Sequence, residues 1–399
     1  MPTFSFFYSI PYIILFLLLY VNVIPLYKTN TGPSFNNNYY IWIQNFFVVS
    51  LLIFFIGFRG FLYTDWISYY SVYDAAPSLF DNKNLISVFF QRRMENGFLF
   101  FMIICKTISS NYFFLQFVSF FIDFLILYYF FKRIIPKYII LGFVFFILFS
   151  GIAIEFNLFR NSKSIMLFLI SLKYIEERKI FKYMMINCIG VLFHTSSLLY
   201  LPLYFVLHKR WSRKIILFLF IIGNVVFLLQ LEWCKVILTN IGTLFPGRLG
   251  LMIKLYFASD FYGKAYGITI GYLERFFSFI ILFYFYEKIF KINKNNLLYM
   301  NIFFIYIFIF LYFSEIMIIL ERVTLLFIFP YWILYPQIYS LIKNRNKQIF
   351  LFILLFYGVL KMGVGNRNIF SLYDNILFDH LPHQERVIIQ EHHRKYIFE

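Results

Sequence analysis

The residues that could do chemistry are few and far apart. Arg160 stands in Glu155-Phe156-Asn157-Leu158-Phe159-Arg160-Asn161, between two apolar stretches. Asn157 and Asn161 fall on its side of a helix, so a fixed cation would be flanked by amide groups, a patch suited to an anionic ligand. A second stretch, Arg59-Gly60 to Tyr70, mixes a cation, the carboxylate of Asp65 and the rings of Tyr69 and Tyr70. A guanidinium binds phosphate oxygens as a fork, and aromatic rings bind sugar faces. Glu95-x-Gly97-Phe98 adds a carboxylate. His194-Thr195-Ser196-Ser197 interrupts an apolar run, and a neutral imidazole there could take a proton from a sugar hydroxyl. Two late pairs follow, Glu274-Arg275 and Glu321-Arg322. Adjacent helical residues do not face one another, so Glu321 and Arg322 must seek different partners. Each set has a plainer reading, as a snorkelling Arg, a capped helix end, a hydrogen-bonded core His or an interfacial aromatic belt.

These residues must be positioned by helices in a bilayer. Of 399 residues, 61% are hydrophobic and 14% charged, more apolar surface than one water-soluble core hides. The fold class is therefore all-α, a polytopic integral membrane protein. Windows long enough to approach the ~30 Å hydrocarbon fall near 6–26, 40–58, 96–110, 112–131, 138–156, 163–175, 183–207, 215–231, 267–286, 297–319, 323–341 and 348–364, which implies about 11–12 transmembrane helices by that rule. The window at 183–207 is long and broken, and should bend back with His194 near its tip. Residues 1–365 read as a single transmembrane domain. Two longer polar loops, 59–94 and 232–266, should carry short amphipathic helices that face substrate; the first also holds Arg92 and Arg93. Residues 366–399 read as a polar tail, with His380, His383, His392 and His393 solvated rather than metal-binding. Asp123 and Lys106, in neighbouring spans, are expected to neutralise one another.

Charge and cysteine narrow the function. Lys and Arg number 36 against 19 Asp and Glu, for a net +17. Much of this excess sits in short loops such as 132–137, 178–182, 208–214, 288–294 and 343–347, which orient helices by facing the cytoplasm. Nucleic-acid binding is disfavoured. The three cysteines are isolated, so neither a CxxC metal pair nor a disulfide framework is available. No P-loop, GxGxxG or HExxH pattern occurs, and no cofactor or metal is expected.

Taken in order, Arg59-Gly60 with Asp65 and Tyr69-Tyr70, Glu95-x-Gly97-Phe98, Arg160-Asn161, Phe193-His194-Thr195-Ser196 and Glu321-Arg322 resemble the EpsG family, which belongs with the Wzy-type polymerases of bacterial surface polysaccharide. Asn161 stands where that pattern more often has Gln, Ser197 where it has Ala, and Tyr63 where it has Gly. The resemblance implies a glycan polymerase of the bacterial inner membrane that joins a polyprenyl-diphosphate-linked oligosaccharide to the non-reducing end of another lipid-linked unit, with a chain-length regulator as a possible partner. On that basis Arg160 and Arg322 would bind the diphosphate, with Arg59 and Arg275 as further candidates. Asn161 and Tyr69 would line the substrate. Asp65 or His194 would serve as general base, with Glu95 or Glu321 in reserve. The competing readings are a lipid-linked oligosaccharide transporter or flippase, which should show inverted repeats, and another membrane transferase, an O-antigen ligase or an acyltransferase.

Overall fold

The computed structural model describes residues 1–24, 37–81, 94–244, 267–316, 320, 322–378 and 380–398. Those residues form sixteen α-helices joined by short 3-10 and π turns, with isolated bridges in place of strands. They divide into two compact units, Met1–Pro202 with Tyr335–Ile397, and Leu203–Leu334. The first unit holds α1 (Ile10–Val21), α2 (Asn37–Leu52), α3 (Trp66–Ala75), α4 (Asn96–Ile108), α5 (Tyr112–Ile134), α6 (Ile139–Phe146), α7 (Ile152–Asn157), α8 (Phe159–Glu176) and α9 (Ile180–Phe193). The second holds α10 (Arg213–Leu228), α11 (Trp233–Leu244), α12 (Ile270–Ile292) and α13 (Asn296–Tyr312). Helix α14 (Pro330–Leu341) begins in the second unit and ends in the first, which also contains α15 (Asn344–Gly365) and α16 (His383–Phe398). Each apolar window of the sequence contains helix. Tyr112–Ile134, Pro136–Asn157 and Asn344–Gly365 are long and apolar enough to cross a bilayer, and five shorter apolar helices accompany them among the described residues.

Buried charge organises the first unit. Lys163 on α8 meets Asp123 on α5 at 2.7 Å, with side chains 7% and 0% exposed, and its ammonium also donates to the Ser119 carbonyl at 2.6 Å. The expected partner, Lys106, instead donates to the Asp74 carbonyl at 3.4 Å and lies over the Tyr73 ring. Sequence proximity of the two spans favoured Lys106, but α8 packs on α5 and brings a cation that the sequence places forty residues further on.

Two breaks shape the approach to α8. Residues Ile147–Gly151 form a π turn with Ser150 at φ 64, and Leu158 leaves the helical region at φ −114, ψ 47. Asn157 therefore ends α7 while Asn161 belongs to α8, so the common helical face expected for the two amides does not exist. No proline marks either break, and the scattered polar residues Ser150, Glu155 and Asn157 do not by themselves show where the helix will kink. The break expected at His194 is present: α9 ends at Phe193, His194 is extended at φ −157, ψ 132, and a 3-10 segment follows over Thr195–Phe205. That segment folds back along α9, where the Tyr183 hydroxyl donates to the Tyr200 carbonyl at 2.5 Å.

The C-terminal residues are not a solvated tail. Ser5 N–H donates to the Arg367 carbonyl at 2.7 Å, and Ile369 N–H to that of Thr3 at 2.9 Å. Further along, Gly60 N–H donates to Asp374 (3.1 Å), Tyr63 N–H to Phe370 (2.8 Å) and Ile376 N–H to Phe58 (2.9 Å). A buried Arg386–Asp374 pair at 3.0 Å locks the segment, and His393 is buried with Nδ1 2.9 Å from the Thr3 hydroxyl. Polar composition suggested solvent; backbone pairing with the first loop overrides it.

Within the second unit, α10 and α12 pack against α13, and Phe220 stacks on Phe279 at 3.6 Å. Glu315 accepts the backbone N–H groups of Cys234 (2.6 Å) and Lys235 (3.0 Å), so a carboxylate remote in sequence caps the start of α11.

The dry pair yields a stability prediction. Lys163→Met should cost about 3–5 kcal/mol, because Asp123 is left buried without its cation. The double variant Lys163→Met/Asp123→Leu should recover most of the loss. Thermal unfolding of purified protein in detergent checks both; a single variant as stable as the parent would contradict the assignment.

Candidate active site

The first unit gathers Tyr69, Glu95, Arg160, Asn161 and His194. Arg160 lies in the first turn of α8, and Glu95 immediately precedes α4 in extended conformation. The guanidinium Nη1 donates to Glu95 Oε2 in an ion pair whose side chains are 29% and 17% exposed, so solvent and solutes reach it. Tyr69, on α3, stacks on Phe159 at 5.1 Å and places its ring 6.0 Å from the guanidinium. Burial pushes the Tyr69 phenol above its ordinary range, and the cation beside it pulls it part of the way back. The Arg160 Nε–H is buried and makes no hydrogen bond among the described residues.

Glycine sets the spacing of this cluster. A Cβ at Gly97 would lie 2.7 Å from both the Cβ and the carbonyl oxygen of Leu192, so only glycine lets the start of α4 lie against the end of α9. That contact brings Glu95 and His194 to one place. The Ser196 hydroxyl is 2.7 Å from His194 Nδ1 and 3.3 Å from Asn161 Oδ1, linking α8 to the α9 break. The backbone N–H of Ser196 donates to the same Nδ1 at 3.1 Å. An Nδ1 that accepts carries no proton, so the neutral ring bears its proton on Nε2 and presents that atom as a donor.

Arg59 and Asp65 stand beside the cluster. Arg59 is 2% exposed and spends Nη1 on the Ile56 carbonyl (2.6 Å) and Nη2 on that of Glu155 (2.8 Å), with its plane over Phe156 and Phe159. Asp65 is half-buried at the start of α3. Its backbone N–H and that of Thr64 both donate to Asn157 Oδ1, at 3.0 and 3.2 Å. Asn157 therefore fixes the loop that carries Asp65, a role sequence reading did not give it.

Of the remaining candidates, Arg275 belongs to the second unit, where Nη1 donates to the Gly271 carbonyl at 2.8 Å and the guanidinium lies 4.2 Å from the Phe310 ring centre. Arg322 is exposed in that same unit. Glu321, Arg92 and Arg93 lie outside the described residues. The sequence reading also passed over Ser196 as a link, and over Asp374, Arg386 and Gln390; Gln390 donates to the Thr64 carbonyl at 2.9 Å. No local motif announces Asp374 or Gln390, because their partners Gly60 and Thr64 lie some three hundred residues away.

The close approach at Gly97 is testable. Gly97→Ala should push α4 away from α9, separate Glu95 from Arg160 and cost about 1–3 kcal/mol, the range for overpacking. Thermal unfolding together with disulfide trapping between cysteines placed at positions 95 and 160 reads both effects, with trapping expected to fall sharply in the alanine variant.

No curated protein and no solved structure matches the chain significantly. The EpsG family model matches residues 42–365, which covers Arg59, Asp65, Glu95, Arg160 and His194. The chain thus belongs to the EpsG family, whose members are Wzy-type polysaccharide polymerases.

Proposed function

We propose that this membrane protein transfers a polyprenyl-diphosphate-linked oligosaccharide onto the non-reducing end of another lipid-linked repeat unit, in the inner membrane of a bacterium that builds O-antigen, capsule or exopolysaccharide. The observation that carries this reading is the accessible Arg160–Glu95 pair, bordered by Tyr69, Asn161 and His194. An ion pair so placed can exchange its carboxylate for another anion.

In the reaction, an acceptor hydroxyl bonds to the anomeric carbon and gives its proton to a carboxylate. The bond from that carbon to the diphosphate oxygen breaks, and the electron pair stays on the oxygen. Arg160 meets the departing charge with its fork, including the Nε–H that has no partner among the described residues. A guanidinium supplies this stabilisation without calling on a metal. As the diphosphate draws the cation, Glu95 is released and takes the hydroxyl proton. His194 contributes its Nε2–H to a sugar or phosphate oxygen, since Nδ1 already accepts a backbone N–H. Asp65 orients the acceptor from the start of α3. Arg59, both of whose Nη groups already serve carbonyls, positions the loop.

In cells lacking the gene, polymer ladders from variants at matched protein level test the scheme. Arg160→Ala should lower polymer formation about 10²–10³-fold, Arg160→Lys should also be poor because a point charge lacks the fork, and Glu95→Gln should fail while leaving the protein folded. Cells with these variants should display single repeat units at the surface. Full-length ladders from Arg160→Ala would overturn the reading, and loss of the single units as well would favour a transporter.

A further inference from the structure

On the side of α3 that carries Tyr70 and Asp74, a cleft of about 280 Å³ opens between that helix, the turn joining α4 to α5, and the docked C-terminal segment. Phe61, Tyr70, Tyr112, Asp74, His380 and His383 are among its lining residues. We propose that this cleft binds a pyranose ring of the glycan and acts as a specificity subsite apart from the reacting groups; the inference rests on the polymerase reading above and deepens it.

The lining is built for a sugar. Phe61 and Tyr112, each 4% exposed, are closed off beneath the cleft, and the half-buried Tyr70 and His383, stacked at 4.1 Å, are the aromatic rings with faces at its edge. Such faces take the C–H side of a pyranose. Exposed Asp74, Ser110 and Asn111 contribute a carboxylate, a hydroxyl and an amide able to bond sugar hydroxyls. Tyr112, 4% exposed, backs the cleft with its ring, and its phenol oxygen is closed off from solvent.

Size and charge narrow the ligand further. The volume sits near the lower end of small-molecule sites, about 300–1,000 Å³, enough for a sugar unit or two and not for a whole repeat. No Lys or Arg lines the cleft, and Asp74 does. With Asp74 on the wall and Lys106 held at its carbonyl (3.4 Å), the local charge is balanced and a neutral sugar fits. His380 and His383 also lie beyond residues 42–365 that match the family. The cleft is therefore completed by a segment outside the matched region, as suits recognition of one glycan in particular rather than the shared reaction.

The test uses the full chain in lipid nanodiscs and, as probe, the neutral oligosaccharide freed by mild acid from the host's own lipid-linked repeat units. Saturation-transfer NMR should show binding to the parent and to Arg160→Ala. Asp74→Asn, an exposed change that leaves the fold alone, and Tyr70→Ala should each weaken binding about tenfold, near 1.4 kcal/mol. No binding by the parent, or parental affinity in both cleft variants, overturns the proposal. The two readings fail separately: a full polymer ladder in the deletion strain removes the polymerase assignment, while the saccharide titration decides the cleft in either case.

Discussion

A single guanidinium holds together the ends of two helices. Arg59 donates to Ile56, in the π turn that follows α2, and to Glu155, in the last turn of α7. Carbonyls near a helix C-terminus lack intrahelical partners, and a cation there also meets the negative end of the dipole. In an apolar body water cannot serve instead. Arg59 thus fixes the departure of the first polar loop relative to the break at Leu158, and the break in turn sets the direction in which α8 presents Arg160. Phe156 and Phe159, on either side of the break, sandwich the same guanidinium. Removing the cation would free two carbonyls and unstack two rings at the point where the loop and α8 meet.

The same reasoning shows what could be read from the residues alone. Helical content followed from hydropathy, because a spanning segment must satisfy its backbone internally. The break at His194 followed from a polar cluster inside an apolar run, since Phe193-His194-Thr195-Ser196-Ser197 interrupts the pattern in the letters themselves. The break at Leu158 left no such trace: Ile152 to Phe159 stays largely apolar, and only the three-dimensional claim of Arg59 on the Glu155 carbonyl explains the end of α7. Pairing was legible by type and not by partner. That Asp123 needed a cation was plain from its depth; that the cation was Lys163 depended on α8 packing against α5.

Tyr63 shows a compensation between distant parts of the chain. It stands at φ 64, a conformation that favours glycine, and in the position where the EpsG pattern has glycine. The C-terminal segment holds it there: Tyr63 N–H donates to Phe370, and its hydroxyl to Asn366 Oδ1 at 3.0 Å. Gly60, three residues earlier, provides the matching clearance, since a Cβ would come 2.7 Å from the Asp374 carboxyl carbon. The first loop and the last forty residues therefore specify one another. The C-terminal residues look solvated by composition alone, and only backbone pairing with the first loop buries them.

Helix α8 also explains why two cations one turn apart do different work. Lys163 meets a carboxylate in a dry setting, 7% and 0% exposed, where exchanging the partner would strand a charge in the core. Arg160 meets Glu95 where 29% and 17% of the side chains remain accessible, so parting this pair strands no charge in the core. Burial depth along one helix thus separates a charge locked into the core from a charge left accessible. The distinction requires the break at Leu158, because a continuous helix from Ile152 would carry Arg160 on a different face from the one that meets Glu95 and Tyr69.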